Sequence, residues 1–180
     1  MGSGLALPAG AERRGAMNEY DRICCPIDFS EPSRRAMHEA ARLARKHGAG
    51  LTLLHVAEPA HHGAEMAFSP PAWAAEEAGA LELATWRAEA EEISGEAVAT
   101  VLLSGPPAPA IVGFARDAGV DLIVTASHGR TGVRRIVLGS VSEQVIRTAP
   151  CDVLVVRHEV EPRPEEEREA GAGAAQGMPA

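Results

Sequence analysis

Short apolar runs and longer amphipathic stretches alternate along the chain. Arg22-Ile23-Cys24-Cys25-Pro26-Ile27 predicts a first strand, and Ser30-Glu31-Pro32-Ser33 then offers a cap residue with proline in the first turn. That start opens a helix running through Lys46 and closed by Gly48. Leu51 to Val56 is the second strand, Glu96 to Leu103 the third, and a helix from about Trp73 to Ile93 lies between them. Gly105-Pro106-Pro107 breaks the chain before a helix over Ala108 to Ala118. Asp121-Leu122-Ile123-Val124-Thr125 reads as a buried fourth strand, Val141 to Thr148 as a helix stopped by Pro150, and Cys151 to Val156 as a fifth strand. Strands alternating with helices require parallel pairing through crossovers, with helices on both faces. The expected fold is a single doubly wound, Rossmann-like α/β domain with a five-stranded parallel sheet.

The periodic part spans residues 20–157. Residues 1–19 are rich in Gly, Ala and charge without periodicity, and 158–180 are acidic, then small and polar, so both are expected to be flexible segments. With 180 residues and 46% apolar content, the chain suits one domain with a full core. A formal net charge of -8 argues against a general nucleic-acid or membrane-surface binder, so any anionic ligand must be held locally. Three cysteines inside apolar runs do not form a secreted disulfide framework. No apolar stretch reaches spanning length, and the opening residues lack the order of a signal peptide, so a soluble, cytoplasmic protein is expected.

Open parallel sheets bind ligands beyond the carboxyl ends of their strands, where strand order reverses. The loops that follow strands therefore hold the candidate chemistry: Pro26-Ile27-Asp28-Phe29-Ser30 after the first, and Ala126-Ser127-His128-Gly129-Arg130-Thr131-Gly132 after the fourth. Glycines there, with Gly139-Ser140 at the next helix start, suit phosphate binding: glycine permits close backbone approach and a helix N-terminus presents N–H groups. Local residues alone equally allow Gly129 and Gly132 to shape a turn while Ser140 caps its helix. Asp28 suits ribose hydroxyls as an acceptor-only carboxylate, or else caps the nearby helix.

The stretch SHGRTGVRRIVLGSVSEQVIRTAPCDVLVV resembles the C-terminal signature of the universal stress protein family, whose nucleotide-binding members carry G-x2-G-x9-G-(S/T). Gly129, nine residues, Gly139 and Ser140 match, while Ala126 stands in place of the first Gly, adding a methyl group and excluding positive φ. CCPIDFSEPSRRAM, LTLLHV and GPPAPAIVGFARDAGVDLIV resemble the family's first strand and helix entry, second strand, and approach to the binding loop. The resemblance covers roughly residues 21–157. It implies the adenine nucleotide alpha hydrolase-like variety of the fold and a homodimer paired through the last strand, which nothing strand-like follows. It also implies ATP, with or without Mg2+, bound by Pro26, Ile27, Asp28, Val56, Ala126, Ser127, His128, Gly129, Arg130, Thr131, Gly132, Gly139, Ser140 and Val141. Adenosine would lie against Pro26, Asp28 and Val56, and phosphates and ribose over Ser127 to Arg130, Gly139, Ser140 and Val141.

No catalytic or metal-binding residue is assigned. Histidine is the residue type suited to proton transfer near neutrality, but His128 has no assignable Asp, Ser or Cys partner, His55 ends a buried strand, and His61-His62 lack a third ligand motif. Cys24-Cys25 has no redox spacing, and all three cysteines are expected to fill the core. Arg134 and Arg135 are expected to be solvated. The chain contains neither G-x-x-x-x-G-K-(S/T) nor a strand-linked G-x-G-x-x-G. Expected function is that of an adenine-nucleotide-binding regulatory or stress-response module with slow or no hydrolysis. The alternatives are a dimeric partner-binding protein without nucleotide, supported by Ala126, and a nucleotide hydrolase or transferase on a related fold.

Overall fold

The computed structural model describes residues 19–57, 72–127 and 138–157, with backbone alone for 72–78. Residues 1–18 and 158–180 of the terminal segments, residues 61 and 62, and residues 128–137 fall outside this description. Among the described residues nine elements follow one another: β1 (Arg22–Ile27), α1 (Glu31–His47), β2 (Gly50–Ala57), α2 (Ala72–Ser94), β3 (Ala99–Ser104), α3 (Pro107–Ala118), β4 (Leu122–Ala126), α4 (Ser140–Thr148) and β5 (Asp152–Val156).

Helix ends follow the local chemistry. Ser30 takes extended angles before α1 and its Oγ accepts from the Ser33 N–H at 3.3 Å, while Gly48, at φ 65°, turns the chain left-handed and donates to the Ala44 carbonyl. Only glycine makes that turn without a Cβ penalty. Helix α1 buries Ala36, Met37, Ala40, Ala41 and Ala44, a stripe of small side chains that lets its axis lie close to the sheet.

All strand pairs are parallel and the sheet order is β3-β2-β1-β4-β5. The expected doubly wound five-stranded sheet is the one found, with β5 at an edge. The core divides between its two faces. Ile23, Cys25, Ile27, Leu53, Val124 and Ala126 pack with residues of α1 and α2, whereas Cys24, Leu54, Val101 and Ile123 pack with residues of α3 and α4. Helices α1 and α2 thus cover one face and α3 and α4 the other, so strand order reverses between β1 and β4.

The third strand begins later than the pattern predicts. Gly95 takes φ 75°, Ser94 Oγ donates to the Glu96 carbonyl and accepts from its N–H, and the Val98 N–H donates to Glu91 Oε1. Glu96 to Val98 are thereby spent in the turn out of α2, and pairing starts at Ala99 opposite Thr52. Asp121 likewise precedes β4, where its Oδ2 accepts from the N–H groups of Asp21 and Arg22.

Cys24 and Cys25 are fully buried, one on each face, and burial pushes both thiols up. They behave as small apolar side chains. No helix among the described residues is long and apolar enough to cross a membrane.

A polar clamp joins α1 to α2. Arg34 Nη2 lies 2.8 Å and Nε 3.1 Å from Glu89 Oε2, and His38 Nε2 lies 2.6 Å from Oε1. Burial alone would push the Glu89 carboxyl up, but hydrogen bonds and charge from His38 and Arg34 outweigh it and hold it below its ordinary 4.5. A carboxyl lowered in the folded state contributes stability above its unfolded value, lost as pH falls through the folded one. The stability gap between parent and Glu89→Gln is therefore expected to be full above about pH 5 and to shrink below the ordinary 4.5, in urea titrations at several pH values. A gap constant from neutrality to pH 3 would refute the clamp.

Candidate functional site

The crevice at the β1/β4 switch point is built from strand ends and helix starts. Pro26 is in register with Leu54, which packs toward α3 and α4, and Val56 lies on the same face. Asp28 is the first residue past the end of β1. Asp28 Oδ1 accepts from the Ser30 N–H at 3.1 Å and the Ser30 Oγ at 2.5 Å, so the carboxylate steadies the residue that caps α1. The cap is Ser30, not Asp28. Ser33 completes the turn, its Oγ donating to the Ser30 carbonyl and receiving the Asp28 N–H at 3.4 Å.

Opposite these residues, the start of α4 is tied to the end of β4. The buried Ser142 Oγ donates to the Ala126 carbonyl at 2.8 Å, the Gly139 N–H donates to the Ser127 carbonyl at 2.8 Å, and the Ser127 N–H donates to the Val156 carbonyl at 3.0 Å. Ser142 escapes the motif reading, although a serine three places after the cap is a recognisable anchor for a first turn. Gly139 is itself the N-cap and Ser140 the first helical residue, so Ser140 does not cap the helix. The first-turn N–H groups of a helix have no intrahelical acceptor, and the N-cap glycine has no side chain to offer them. Such N–H groups and the positive end of a helix dipole are a chemistry that suits an anion.

Gly139 has φ -71° and ψ 150°, angles open to any residue. Backbone geometry therefore does not require glycine at this position. Ala126 is an ordinary strand residue, 6% exposed, whose methyl packs in the α1/α2 core, on the face away from Val56. Ile27 also turns its side chain into that core, and its carbonyl lies 2.8 Å from His55 Nδ1. Since a carbonyl only accepts, His55 carries its proton on Nδ1. Ser127 is buried and Val141 exposed. His128, Gly129, Arg130, Thr131 and Gly132 lie outside the described residues, as do Arg134 and Arg135.

The universal stress protein family model matches residues 19–157, the whole of the folded unit. The chain belongs to the universal stress protein family. Universal stress protein MJ0531 of Methanocaldococcus jannaschii is 36% identical over 147 residues, covering 80% of this chain and 86% of its own. The solved structure of hypothetical protein MJ0577 is 31% identical, with a TM-score of 0.71 over 79% of this chain and 99% of that one. Two more distant universal stress proteins share the fold. One, solved in complex with cAMP, has 23% identity and a TM-score of 0.62 over 78% of this chain and 98% of its own. The other, from Archaeoglobus fulgidus in complex with dAMP, has 23% identity and a TM-score of 0.58 over 76% and 97%.

Proposed function

We propose that this universal stress protein is a cytoplasmic regulatory module that binds ATP at the β1/β4 crevice, hydrolyses it slowly or not at all, and changes a protein-interaction surface or dimer with occupancy. The observation that carries this reading is the start of α4. A glycine whose backbone angles do not require glycine opens a helix tied to the end of β4, on the face that also holds Pro26 and Val56. Phosphates would lie against the backbone of Gly139, Ser140 and Val141, the ribose near Asp28, and the adenine against Pro26 and Val56. Ser127 and the residues 128–132 would close the phosphate side. The same fold holds adenine nucleotides in the two family members solved with cAMP and dAMP.

Ala126, which alone favoured a nucleotide-free role, does not stand against the ATP reading: a methyl directed into the α1/α2 core takes no room from a ligand on the other face. Purified protein is expected to retain an adenine nucleotide by mass spectrometry, and the stripped protein to bind ATP in calorimetry, with and without Mg2+. Stripped, folded protein without measurable ATP affinity would overturn the reading.

The same reading includes a homodimer. Strand β5 is an edge strand whose Leu154 is exposed and whose Val153, Val155 and Val156 are only partly covered. An apolar edge left bare invites pairing, and a second copy is the symmetric way to cover it. Sedimentation at micromolar concentration is expected to give a dimer, and Val155→Lys to shift it towards monomer. A parent that sediments as a monomer at high micromolar concentration would refute this.

A further inference from the structure

Phe29 is the one non-glycine residue with positive φ, 61°, among the described residues. The left-handed region is costly for an aromatic side chain, which has no local hydrogen bond to offer in return. Such a conformation persists where its surroundings hold it. Here they do so from the face opposite the crevice. The Phe29 ring centroid lies 4.5 Å from that of His55 and 5.5 Å, edge-on, from that of Trp86. His55 is fixed by the Ile27 carbonyl, and Trp86 is buried beneath the Arg34 guanidinium, itself held by Glu89.

Phe29 thus packs on the α1/α2 side, and Asp28 immediately precedes its left-handed kink. We propose that Phe29 is the positioning residue of the nucleotide crevice: its ring, seated on His55 and Trp86, holds the left-handed kink that presents the Asp28 carboxylate to the ribose. The proposal rests on the ATP reading above. Without the ring the left-handed φ rests on the hydrogen bonds of Asp28 with Ser30 and Ser33, and its relaxation to negative values turns Asp28 and its Ser30 contacts out of place.

The test compares binding of ATP and 2′,3′-dideoxy-ATP, which lacks both ribose hydroxyls, by calorimetry. Parent protein should prefer ATP, since only ATP offers donors to Asp28. Phe29→Ala is expected to bind ATP about tenfold more weakly and to lose the preference, as Asp28→Ala does, with the double variant adding nothing further. Phe29→Tyr, which keeps the ring, should recover most of the preference. Should Phe29→Ala fail to fold, Phe29→Leu, apolar but ringless, carries the same expectation. A folded ringless variant that retains the parent's preference, or that weakens both nucleotides equally, overturns the positioning role while leaving the ATP reading intact. A folded parent that binds neither nucleotide overturns the ATP reading, and the role of Phe29 with it.

Discussion

Gly139→Asp is expected to lose ATP binding while keeping, or slightly raising, its thermal stability. The parent angles of φ -71° and ψ 150° suit aspartate, and the residue occupies the N-cap of α4, where aspartate is among the preferred residues and glycine caps without a side chain. A carboxylate there also lies favourably on the helix dipole, so the fold gains about 0.3–1 kcal/mol or stays level. The Gly139 N–H bond to the Ser127 carbonyl needs no change. For a bound phosphate everything reverses: the new side chain occupies its approach, takes up the first-turn N–H groups and repels its charge. Affinity should fall at least about tenfold, roughly 1.4 kcal/mol. Calorimetry beside a melting curve decides the matter, because a folding defect and a binding defect move in opposite directions for this substitution. A stable Gly139→Asp protein that binds ATP as the parent does would move the ligand elsewhere.

The strands were legible because their residues form short, continuous apolar runs bounded by turn residues, and that pattern survives in the fold nearly residue for residue. The start of β3 was not, since Glu96-Ala97-Val98 looks extended in sequence, while the Ser94 hydroxyl and left-handed Gly95 fold it back as a turn. At the candidate site the loops after β1 and β4 could be named, but the facing of individual side chains could not. Strand β4 is buried on both sides, so its sequence carries no alternation to show that Ala126 faces α1 and α2. Without that parity the missing motif glycine reads as an obstacle. With it, the methyl is core. Phe29 was hidden for another reason: positive φ is signalled by Gly or Asn, and an aromatic side chain held there by His55 and Trp86 depends on contacts far apart in sequence.

Trp86→Ala is expected to cost the largest share of stability of any change considered for this protein, about 3–5 kcal/mol, the range for truncating a buried aromatic ring. The side chain is 5% exposed and belongs to the core cluster with Met37, Leu53 and Leu83. Its α1 neighbours are a stripe of alanines on a regular helix, which have little reach to fill the space left behind. Two directional contacts go with it. The Arg34 guanidinium, 5.5 Å above the ring, loses a cation–π contact of about 0.5–1 kcal/mol, and the edge-on packing of Phe29 loses its partner. Trp86→Phe keeps an apolar ring for both and should cost clearly less. Urea denaturation followed by far-ultraviolet circular dichroism measures the difference without relying on the fluorescence of the residue removed. A loss below about 1.5 kcal/mol for Trp86→Ala would mean that α1 and α2 close over the cavity, against the usual cost of an unfilled core. The kink at Phe29 would then rest on His55 and the hydrogen bonds of Asp28 with Ser30 and Ser33.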